Sequence, residues 1–305
     1  MKIRRLGLAA AAAGLALAGL STATAAAEPS CADVHYIGAA GSGQRDGAGL
    51  VANQGMGDVV YQSYQRLRSD LVSAGHTVSA EAVNYPAVPV PEDGGLGGWM
   101  DFMGSVRTGA EAAGQQYWAY VERCPASKVV LAGYSQGAMV VHRNLHALAD
   151  SPQLAAVLLV ADGDRIPTDT TIKMGSTALR APGTRMGVAQ EHYILAGTNT
   201  DKLPAALGAR TISVCDVGDP VCDYDPDVSG STATELAIHT GYAPAGSGLH
   251  AWNGPLYGLV AAELPTTLSF GPDAAAPAPD GTAPAPDAGT SAPGTATRLV
   301  VGTGS

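Results

Sequence analysis

Aromatic and basic side chains are scarce in this sequence of 305 residues. Aromatic residues make up 5% of the chain, and 17 Lys and Arg stand against 27 Asp and Glu, which gives a formal charge of −10 at pH 7. A chain of this charge is poorly suited to nucleic acid or to anionic lipid surfaces, and its aromatic residues are not interleaved with basic ones. We therefore expect no nucleic-acid partner.

Long hydrophobic runs are missing, apart from one near the start of the chain. Residues 6–20 are rich in Ala and Leu, follow a basic start and precede small residues that end at Ala27. This pattern is typical of a signal peptide at 1–27, and the run is short for a membrane span. We expect a secreted protein with no transmembrane segment in the mature chain. Removal of Lys2, Arg4 and Arg5 takes away three positive charges, so the formal charge goes from −10 to −13.

Two export routes are compatible with the start of the sequence. Arg4 and Arg5 are compatible with the twin-arginine route, but the residues around them fit that signal poorly. The general secretory route therefore stays open beside it.

Cysteine is used sparingly, and all four cysteines follow the signal peptide: Cys31, Cys124, Cys215 and Cys222. An even number of cysteines in an exported protein favours disulfides. Three pairings are possible, and the short spacing of the last two favours a local bond there and a long-range bond between the first two. A zinc site is the alternative, but neither a C-x-x-C motif nor a nearby His pair supports it. We expect no metal and no organic cofactor.

Composition divides the mature chain into two parts. Residues 28–270 have a globular composition, and about 240 residues are enough for one domain with a full core. From 271 to 305 Ala, Pro, Asp, Gly and Thr dominate, and Ala-Pro-Ala-Pro-Asp occurs at 276–280 and at 283–287. Such a tail buries too little apolar surface to fold, so we expect it to be disordered. It is interpreted as a spacer through a cell wall or as a solubilising tail.

Strand-like and helix-like patterns alternate through the globular part. Apolar, β-branched runs predict strands, and apolar stripes at three- and four-residue steps predict helices. The predicted strands are 34–37, 78–83, 129–132, 156–160 and 211–215, and the predicted helices include 58–74 and 105–123. This alternation predicts an α/β fold with a doubly wound, mainly parallel central sheet flanked by helices. Ligands of such sheets bind at the carboxyl ends of the strands.

The most informative motif is Gly133-Tyr134-Ser135-Gln136-Gly137, which has the form G-x-S-x-G. It stands between the predicted strand 129–132 and a helix-like run, the context in which this motif raises a nucleophilic serine above a sheet. The start of the helix supplies amide donors for a developing oxyanion. Ser135 is therefore the candidate nucleophile.

A serine nucleophile needs a histidine base and a carboxylate that orients it, and in this kind of fold the chain order is Ser, acid, His. Asp219 lies between Cys215 and Cys222 after the last predicted strand, and we choose it over its neighbours Asp216, Asp223, Asp225 and Asp227. Two histidines follow it. His239 is the candidate base, and His250 is interpreted as packing against a C-terminal helix. His142 and His146 are spaced for a metal, but no third ligand accompanies them.

Several motifs in one order give the chain its resemblance to a known family. They are Cys31-Ala-Asp-Val, Asn84-Tyr-Pro-Ala, Cys124-Pro, Gly133-Tyr-Ser-Gln-Gly-Ala and Cys215-Asp-Val-Gly-Asp-Pro-Val-Cys222. From Cys31 to about Tyr242 the sequence resembles the cutinase family of α/β-hydrolases, of the actinobacterial cutinase-like type. The resemblance implies a cutinase-like α/β-hydrolase fold.

The resemblance also assigns roles to the candidate residues. It implies Ser135 as nucleophile, Asp219 as acid and His239 as base, with disulfides Cys31–Cys124 and Cys215–Cys222. For the oxyanion hole it points to the amide of Gln136 and to Ser42, which follows the first predicted strand. The amide of the residue after the nucleophile is also the expected donor in a turn of this kind.

Residues 161–190 form the main departure from compact cutinases, because this segment is longer here. It is polar, rich in Gly and Pro, and carries Arg165, Lys173, Arg180 and Arg185. We interpret it as a surface excursion or as a cap that narrows access to the serine.

Together these observations predict a secreted, monomeric serine esterase that hydrolyses carboxylic esters through an acyl-enzyme. The substrate is a cutin-like polyester or a short- or medium-chain acyl ester. Val88, Val90, Leu96, Ile238 and Tyr242 are apolar candidates for the acyl-chain wall. One alternative is a lipid-directed acyl hydrolase of the cell envelope, a phospholipase or thioesterase. An alternative of another class is a non-catalytic protein that binds the cell envelope.

Overall fold

The computed structural model describes residues 31–91, 96–181, 183, 185–192, 195, 201–228 and 231–265. The predicted signal peptide at 1–27 and the predicted tail at 271–305 lie outside these residues.

A six-stranded parallel sheet forms the centre of the described chain. Its strands are β1 (Val34–Ala39), β2 (Val78–Ala82), β3 (Lys128–Tyr134), β4 (Leu154–Val160), β5 (Ile172–Met174) and β6 (Thr211–Val214). Their spatial order is β2-β1-β3-β4-β6-β5, and every pair is parallel. From β1 the chain goes to β2 at one edge and then crosses back to β3 and β4 on the other side of β1, which confirms the doubly wound α/β fold. Beyond β4 the chain forms the edge strand β5 first and returns to place β6 between β4 and β5. The switch between β1 and β3 is where such sheets place their ligands.

Helices cover both faces of this sheet. They are α1 (Gly47–Ala52), α2 (Asp58–Ser73), α3 (Leu96–Arg123), α4 (Gln136–His142), α5 (Val188–Glu191), α6 (Ala205–Gly208), α7 (Ala233–Thr240) and α8 (Asn253–Ala262). On one face α2 and α8 pack around Leu67 and Trp252, and on the other α3 and α4 pack around Tyr117 and Met139. All seven residues of β4 are buried, because a strand covered on both faces is apolar along its whole length.

The helix α3 begins nine residues earlier than the sequence predicts. Residues 96–104 contain Gly97, Gly98 and Gly104, and glycine lowers helix propensity by about 1 kcal/mol relative to alanine. Tertiary packing overrides this preference: Phe102 is 6% exposed and meets the ring of Trp99 edge-on at 5.6 Å between centroids. The added turns bring these two rings to the carboxyl end of the sheet.

The segment 161–190 supplies the edge strand β5, which the sequence did not predict. Its three residues pair with β6, Ile172 opposite Ile212 and Met174 opposite Val214. A strand of three half-buried residues is too short to show a period of two. A 3₁₀ helix, Ser176–Leu179, follows it.

Two disulfides fasten the chain at separate places. Cys31–Cys124 ties the residues before β1 to the end of α3, and Cys215–Cys222 closes the loop after β6. Within the described ranges we find no group of three or more His, Cys, Asp or Glu that is arranged to hold a metal ion. In the same part of the chain no helix is both long and apolar enough to cross a membrane.

Candidate active site

Ser135 occupies a strained turn between β3 and α4. Its backbone has φ 55° and ψ −120°, a left-handed conformation that costs a residue other than glycine about 1–3 kcal/mol. The amide of Ser135 donates to the carbonyl of Val160 at 2.9 Å, and its own carbonyl accepts from Ala138 at 2.9 Å. The surrounding backbone therefore holds the serine at the carboxyl end of the sheet.

The two glycines of the motif are required by close backbone contacts. A Cβ atom on Gly133 would lie 2.2 Å from the carbonyl oxygen of Gly137. A Cβ atom on Gly137 would lie 2.2 Å from the carbonyl oxygen of Ala39, at the end of β1. Because backbone atoms cannot move aside as a side-chain tip can, any larger residue at either position would displace Ser135.

His239 and Asp219 complete a continuous chain of hydrogen bonds from Ser135. The Nε2 atom of His239 lies 3.0 Å from Ser135 Oγ, and its Nδ1 atom lies 3.0 Å from each carboxylate oxygen of Asp219. Asp219 is fully buried and the side chain of His239 is 13% exposed. When Nδ1–H donates to the carboxylate, the Nε2 lone pair faces the serine hydroxyl, which is the tautomer that a general base needs.

The loop after β6 fixes the carboxylate of Asp219. Its Oδ1 atom accepts hydrogen bonds from the amides of Val221 at 2.7 Å and Cys222 at 3.2 Å. The disulfide from Cys222 to Cys215 anchors the same loop to the end of β6. The loop 215–225, called the acid loop below, therefore presents one carboxylate in a set orientation.

The other acid and base candidates of the sequence have different partners. Asp216 accepts from Nε2 of His250 at 2.6 Å, and also from the hydroxyl of Ser176 at 2.9 Å. Asp223 accepts from the amide of Gly218 at 3.0 Å. Asp225 forms an ion pair with Arg185, and the amide of Asp227 donates to Asp225 at 3.2 Å. The two candidate metal histidines are also engaged: His142 with Asp162 at 2.5 Å, and His146 with the carbonyl of Asp201 at 3.2 Å.

Tyr134 supports His239, a role that the sequence did not reveal. Its hydroxyl donates to the carbonyl oxygen of His239 at 2.7 Å, and the two rings stack with centroids 5.4 Å apart. Burial, with the charge of Asp219 added, raises the pKa of Tyr134, so its hydroxyl stays protonated and able to donate. The only signal for it is its place beside the serine in the motif.

Ser42 and Gln136, the predicted oxyanion donors, lie on two neighbouring backbone segments. The amide of Gln136 stands in the first turn of α4, where helical N–H groups have no acceptor within the helix. The hydroxyl of Ser42 is buried and has no hydrogen-bond partner in the described part of the chain. The backbone at Ala39 reaches Gly137, and a Cβ atom on Gly41 would meet the Tyr134 ring at 2.7 Å, so the loop of Ser42 runs beside the serine turn.

A cavity of about 760 Å³ opens at Ser135 and His239. Its walls are mostly apolar and come from α3, α4, α5, α7 and the acid loop. The apolar wall includes Val90, Leu96, Trp99, Phe102, Met139, Val188 and Leu236. Of the predicted acyl-chain residues, Val90 and Leu96 are in the wall. Val88, Ile238 and Tyr242 are not among its described lining residues, and Tyr242 is instead buried beneath the acid loop, where its hydroxyl accepts from the amide of Asp216 at 2.7 Å.

The sequence model of one protein family, described as Cutinase, matches residues 30–252. The chain belongs to the cutinase family. The match spans the sheet, the motif at Ser135, the acid loop and His239.

Curated relatives of this family member are ester hydrolases. Acetylxylan esterase 2 of Talaromyces purpureogenus is 29% identical over 199 residues, which cover 60% of this chain and 74% of that protein. Phospholipase Culp4 of Mycobacterium tuberculosis is 27% identical over 236 residues, 76% of this chain and 83% of that protein. The catalytic core domain of acetyl xylan esterase from Trichoderma reesei superposes with a TM-score of 0.51 at 21% identity, covering 77% of this chain and 100% of that domain, which shows the shared fold. This cutinase-family chain is a carboxylic ester hydrolase with an α/β-hydrolase fold.

Proposed function

We propose that this cutinase-family protein is an exported serine esterase in which Ser135, His239 and Asp219 act as a catalytic triad. The observation that carries the proposal is the unbroken run of 3.0 Å contacts from Asp219 through His239 to Ser135, at the mouth of an apolar cavity. In this arrangement each residue type has the neighbour that its role in acyl transfer requires.

The reaction proceeds in two halves. Ser135 Oγ attacks the ester carbonyl carbon while His239 Nε2 takes the hydroxyl proton, and the carbonyl oxygen becomes an oxyanion. The tetrahedral intermediate collapses, the C–O bond to the alcohol breaks, and His239 returns the proton to the leaving oxygen. A water molecule, deprotonated by His239, then attacks the acyl carbon. The bond from this carbon to Ser135 Oγ breaks, His239 returns the proton to Oγ, and the carboxylic acid is released. Asp219 remains ionised and stabilises the imidazolium.

The oxyanion is held by donors that are in place before the reaction. We assign the amide of Gln136 and the hydroxyl of Ser42 to this role. A buried hydroxyl without a partner costs about 1–3 kcal/mol, and such a cost is retained where the group serves the reaction. The side-chain amide of Gln136 is held separately, by the carbonyl of Val88 at 3.3 Å and the hydroxyl of Ser105 at 3.3 Å, which fixes the backbone at this position.

The cavity favours an acyl chain longer than acetate. Its volume of about 760 Å³ lies within the range of small-molecule sites, and rings such as those of Trp99 and Phe102 offer contact to methylene groups rather than hydrogen bonds. Each methylene that it buries stabilises the complex by about 0.8 kcal/mol. We therefore propose medium-chain acyl esters, including those of a cutin-like polyester, as substrates.

A lipid-directed acyl hydrolase is the second candidate. It is favoured by the same apolar cavity and by the phospholipase among the relatives, which matches over 83% of its length. Turnover of phosphatidylcholine or an acyl thioester at rates above those of simple esters of equal chain length would select this function.

Export is supported by two independent features. The first 27 residues have the pattern of a signal peptide, and both disulfides are of a kind that persists in oxidising compartments. We propose that the mature chain begins near Glu28 and that 271–305 serves as a spacer or solubilising tail. Mass spectrometry of the protein recovered from the culture medium, compared with the cell fraction, tests both the cleavage point and the location.

The central test is covalent labelling of the mature protein with a fluorophosphonate, followed by peptide mass spectrometry and assays on p-nitrophenyl esters of two to about sixteen carbons. We expect the label on Ser135 and turnover that peaks at medium chain length. Ser135→Ala should remove both, whereas Ser69→Ala, on the exposed side of α2, should change neither. Folded wild-type protein that is neither labelled nor active would overturn the proposal and favour an envelope-binding role.

A further inference from the structure

A second cavity, of about 300 Å³, is lined by residues of the segment 161–190 and by Asp223 of the acid loop. Four of its lining side chains are cationic, Arg165, Lys173, Arg180 and Arg185, and one is a carboxylate, Asp223. None of these five residues lines the cavity at Ser135. We call this second cavity the basic cavity.

The positive charge of the basic cavity is only partly neutralised. Arg185 is paired with Asp225, and Arg165 Nη1 lies 4.0 Å from Asp223. Lys173 and Arg180 have no carboxylate within ion-pair distance in the described ranges. Two positive charges therefore meet in one concave site, on a chain whose formal charge is −10.

Arg165 is held in place before any ligand arrives. It is 8% exposed, and its Nη1 atom donates to the carbonyl of Cys222 at 2.8 Å. Burial lowers the pKa of Arg165, and the nearby carboxylates of Asp223, Asp162 and Asp219 oppose this effect. A fixed, poorly hydrated guanidinium loses little entropy when it binds an anion.

Regular structure supports the remaining walls of the basic cavity. Lys173 stands on β5, and Thr177 in the following 3₁₀ helix donates its hydroxyl to the carbonyl of Cys215 at 2.8 Å. Arg165 and the backbone of 186–188 are joined by the bond from the Gly187 amide to the Arg165 carbonyl at 2.8 Å. Residues of the segment 161–190 thus build a cationic site beside the acid loop.

We propose that the basic cavity binds a phosphate group, carried either by a small phosphomonoester or by a phospholipid head group. Guanidinium groups match phosphate oxygens in geometry, and three of the four cations here are arginines. A phosphomonoester carries a charge of about −1.5 to −2 at pH 7, which balances the two unpaired cations. The volume of about 300 Å³ accommodates a phosphate with a small organic substituent.

Isothermal titration calorimetry with inorganic phosphate and with glycerol phosphate, at constant ionic strength, tests the proposal. The cavity variant is Lys173→Ala/Arg180→Ala, and the matched control is Arg66→Ala/Arg107→Ala, which removes two positive charges from exposed positions on α2 and α3. The cavity variant loses two charge-assisted contacts, so we expect it to bind about a hundredfold more weakly than wild type. The control should bind as wild type does.

Three further measurements complete the test. Both variants should keep the thermal midpoint and the kcat/KM for a p-nitrophenyl ester, since neither pair of residues touches the ester site. Sedimentation with phosphatidylglycerol vesicles, compared with phosphatidylcholine vesicles, then distinguishes the sources. If wild type sediments with phosphatidylglycerol vesicles and the cavity variant does not, the ligand is a lipid head group. If the protein binds the soluble phosphates but not the vesicles, the ligand is a phosphomonoester.

The proposal is overturned by either of two results. In one, the wild-type protein binds neither the soluble phosphates nor the vesicles. In the other, the control variant loses as much affinity as the cavity variant, which would mean that only overall charge matters. Because phosphate binding is measured without an ester, its failure is independent of the fate of the serine esterase proposal.

Discussion

Tyr134 is joined to His239 twice, by a hydrogen bond of 2.7 Å from its hydroxyl to the backbone carbonyl and by a stacked ring contact at 5.4 Å. Tyr134 is the residue before Ser135, so a single short segment controls both the serine and the position of the imidazole.

Tyr134→Phe keeps the stacking and removes the hydrogen bond. The partly buried carbonyl of His239 would lose its partner, so we expect a loss of about 0.5–1.5 kcal/mol in unfolding free energy and a several-fold fall in kcat. Urea unfolding and ester kinetics measure the two effects. Tyr257→Phe, on α8 and away from the cavity, is the control, and an equal loss of kcat in that variant would contradict a specific role for Tyr134.

Asp219→Asn tests the orientation of the base. An amide in place of the carboxylate can favour the wrong imidazole tautomer, and we expect kcat to fall about 10⁴-fold with little change in thermal stability. Asp227→Asn, at an exposed position of the next loop, should be indistinguishable from wild type in kcat. Similar kinetics for the two variants would show that Asp219 is not the acid.

Much of this site follows from the sequence because its signals are local or ordered along the chain. The strand, the turn glycines and Ser135 form one continuous motif, and the expected chain order then selects Asp219 and His239. What could not be predicted depends on contacts between distant segments. The pairing of Asp216 with His250, neither of which was chosen for the triad, is one example, and the support that Tyr134 gives to His239 is another.

The fold shows the same division between local and distant signals. The long buried strands β3 and β4 can be predicted from their apolar runs. In contrast, β5 has only three residues and forms because it pairs with β6. The glycine-rich start of α3 reads as loop, yet the burial of Phe102 makes it helical. Prediction from local propensity is wrong at these places because tertiary packing stabilises the helix or strand by more than its unfavourable propensity destabilises it.

Removal of one disulfide should lower the stability of the protein, and removal of the other should lower its activity. Cys31–Cys124 closes a loop of 93 residues, and its removal by double Ser substitution should lower the unfolding free energy by about 2–5 kcal/mol while folded protein keeps its kcat. Removal of Cys215–Cys222 should lower kcat, because that bond holds the loop of Asp219. Thermal denaturation and initial rates on both variants check this. A kcat that survives loss of the Cys215–Cys222 bond would show that the hydrogen bonds to Asp219 hold the loop without it.

Asp216 should make stability depend on acid pH. Burial alone raises the pKa of its carboxyl, but hydrogen bonds from Ser176 and His250 outweigh it and hold the pKa below its usual value. A group whose pKa is lowered in the folded state stabilises the fold fully above the unfolded pKa of about 3.9, and that contribution is lost as the pH falls through the folded pKa. Wild type should therefore exceed Asp216→Asn in unfolding free energy at pH ~6, and the gap should shrink toward pH ~2.5. A gap that stays constant with pH would contradict this account, and Asp101→Asn, at an exposed position of α3, is the matched control.

Val90→Trp should shift the acyl-chain preference. Val90 is 49% exposed at the rim of the ester cavity, so a larger side chain narrows the opening without entering the core. We expect the optimum among p-nitrophenyl esters to move to shorter chains, with kcat/KM for the shortest ester within about threefold of wild type. Val51→Trp, on α1 and outside the cavity wall, provides the control. An unchanged chain-length profile in Val90→Trp would place the acyl chain elsewhere.

The hydrogen bond between His239 and Ser135 joins residues 104 positions apart, and Asp219 enters from a third segment. No partly folded chain can bring these three side chains together by local structure alone. Reactivity toward an active-site titrant therefore counts molecules whose distant segments have all docked, including the disulfide-closed acid loop. In refolding or secretion experiments, the titre of reactive serine would measure the yield of native protein directly, where total protein or helix content would also count incompletely assembled chains.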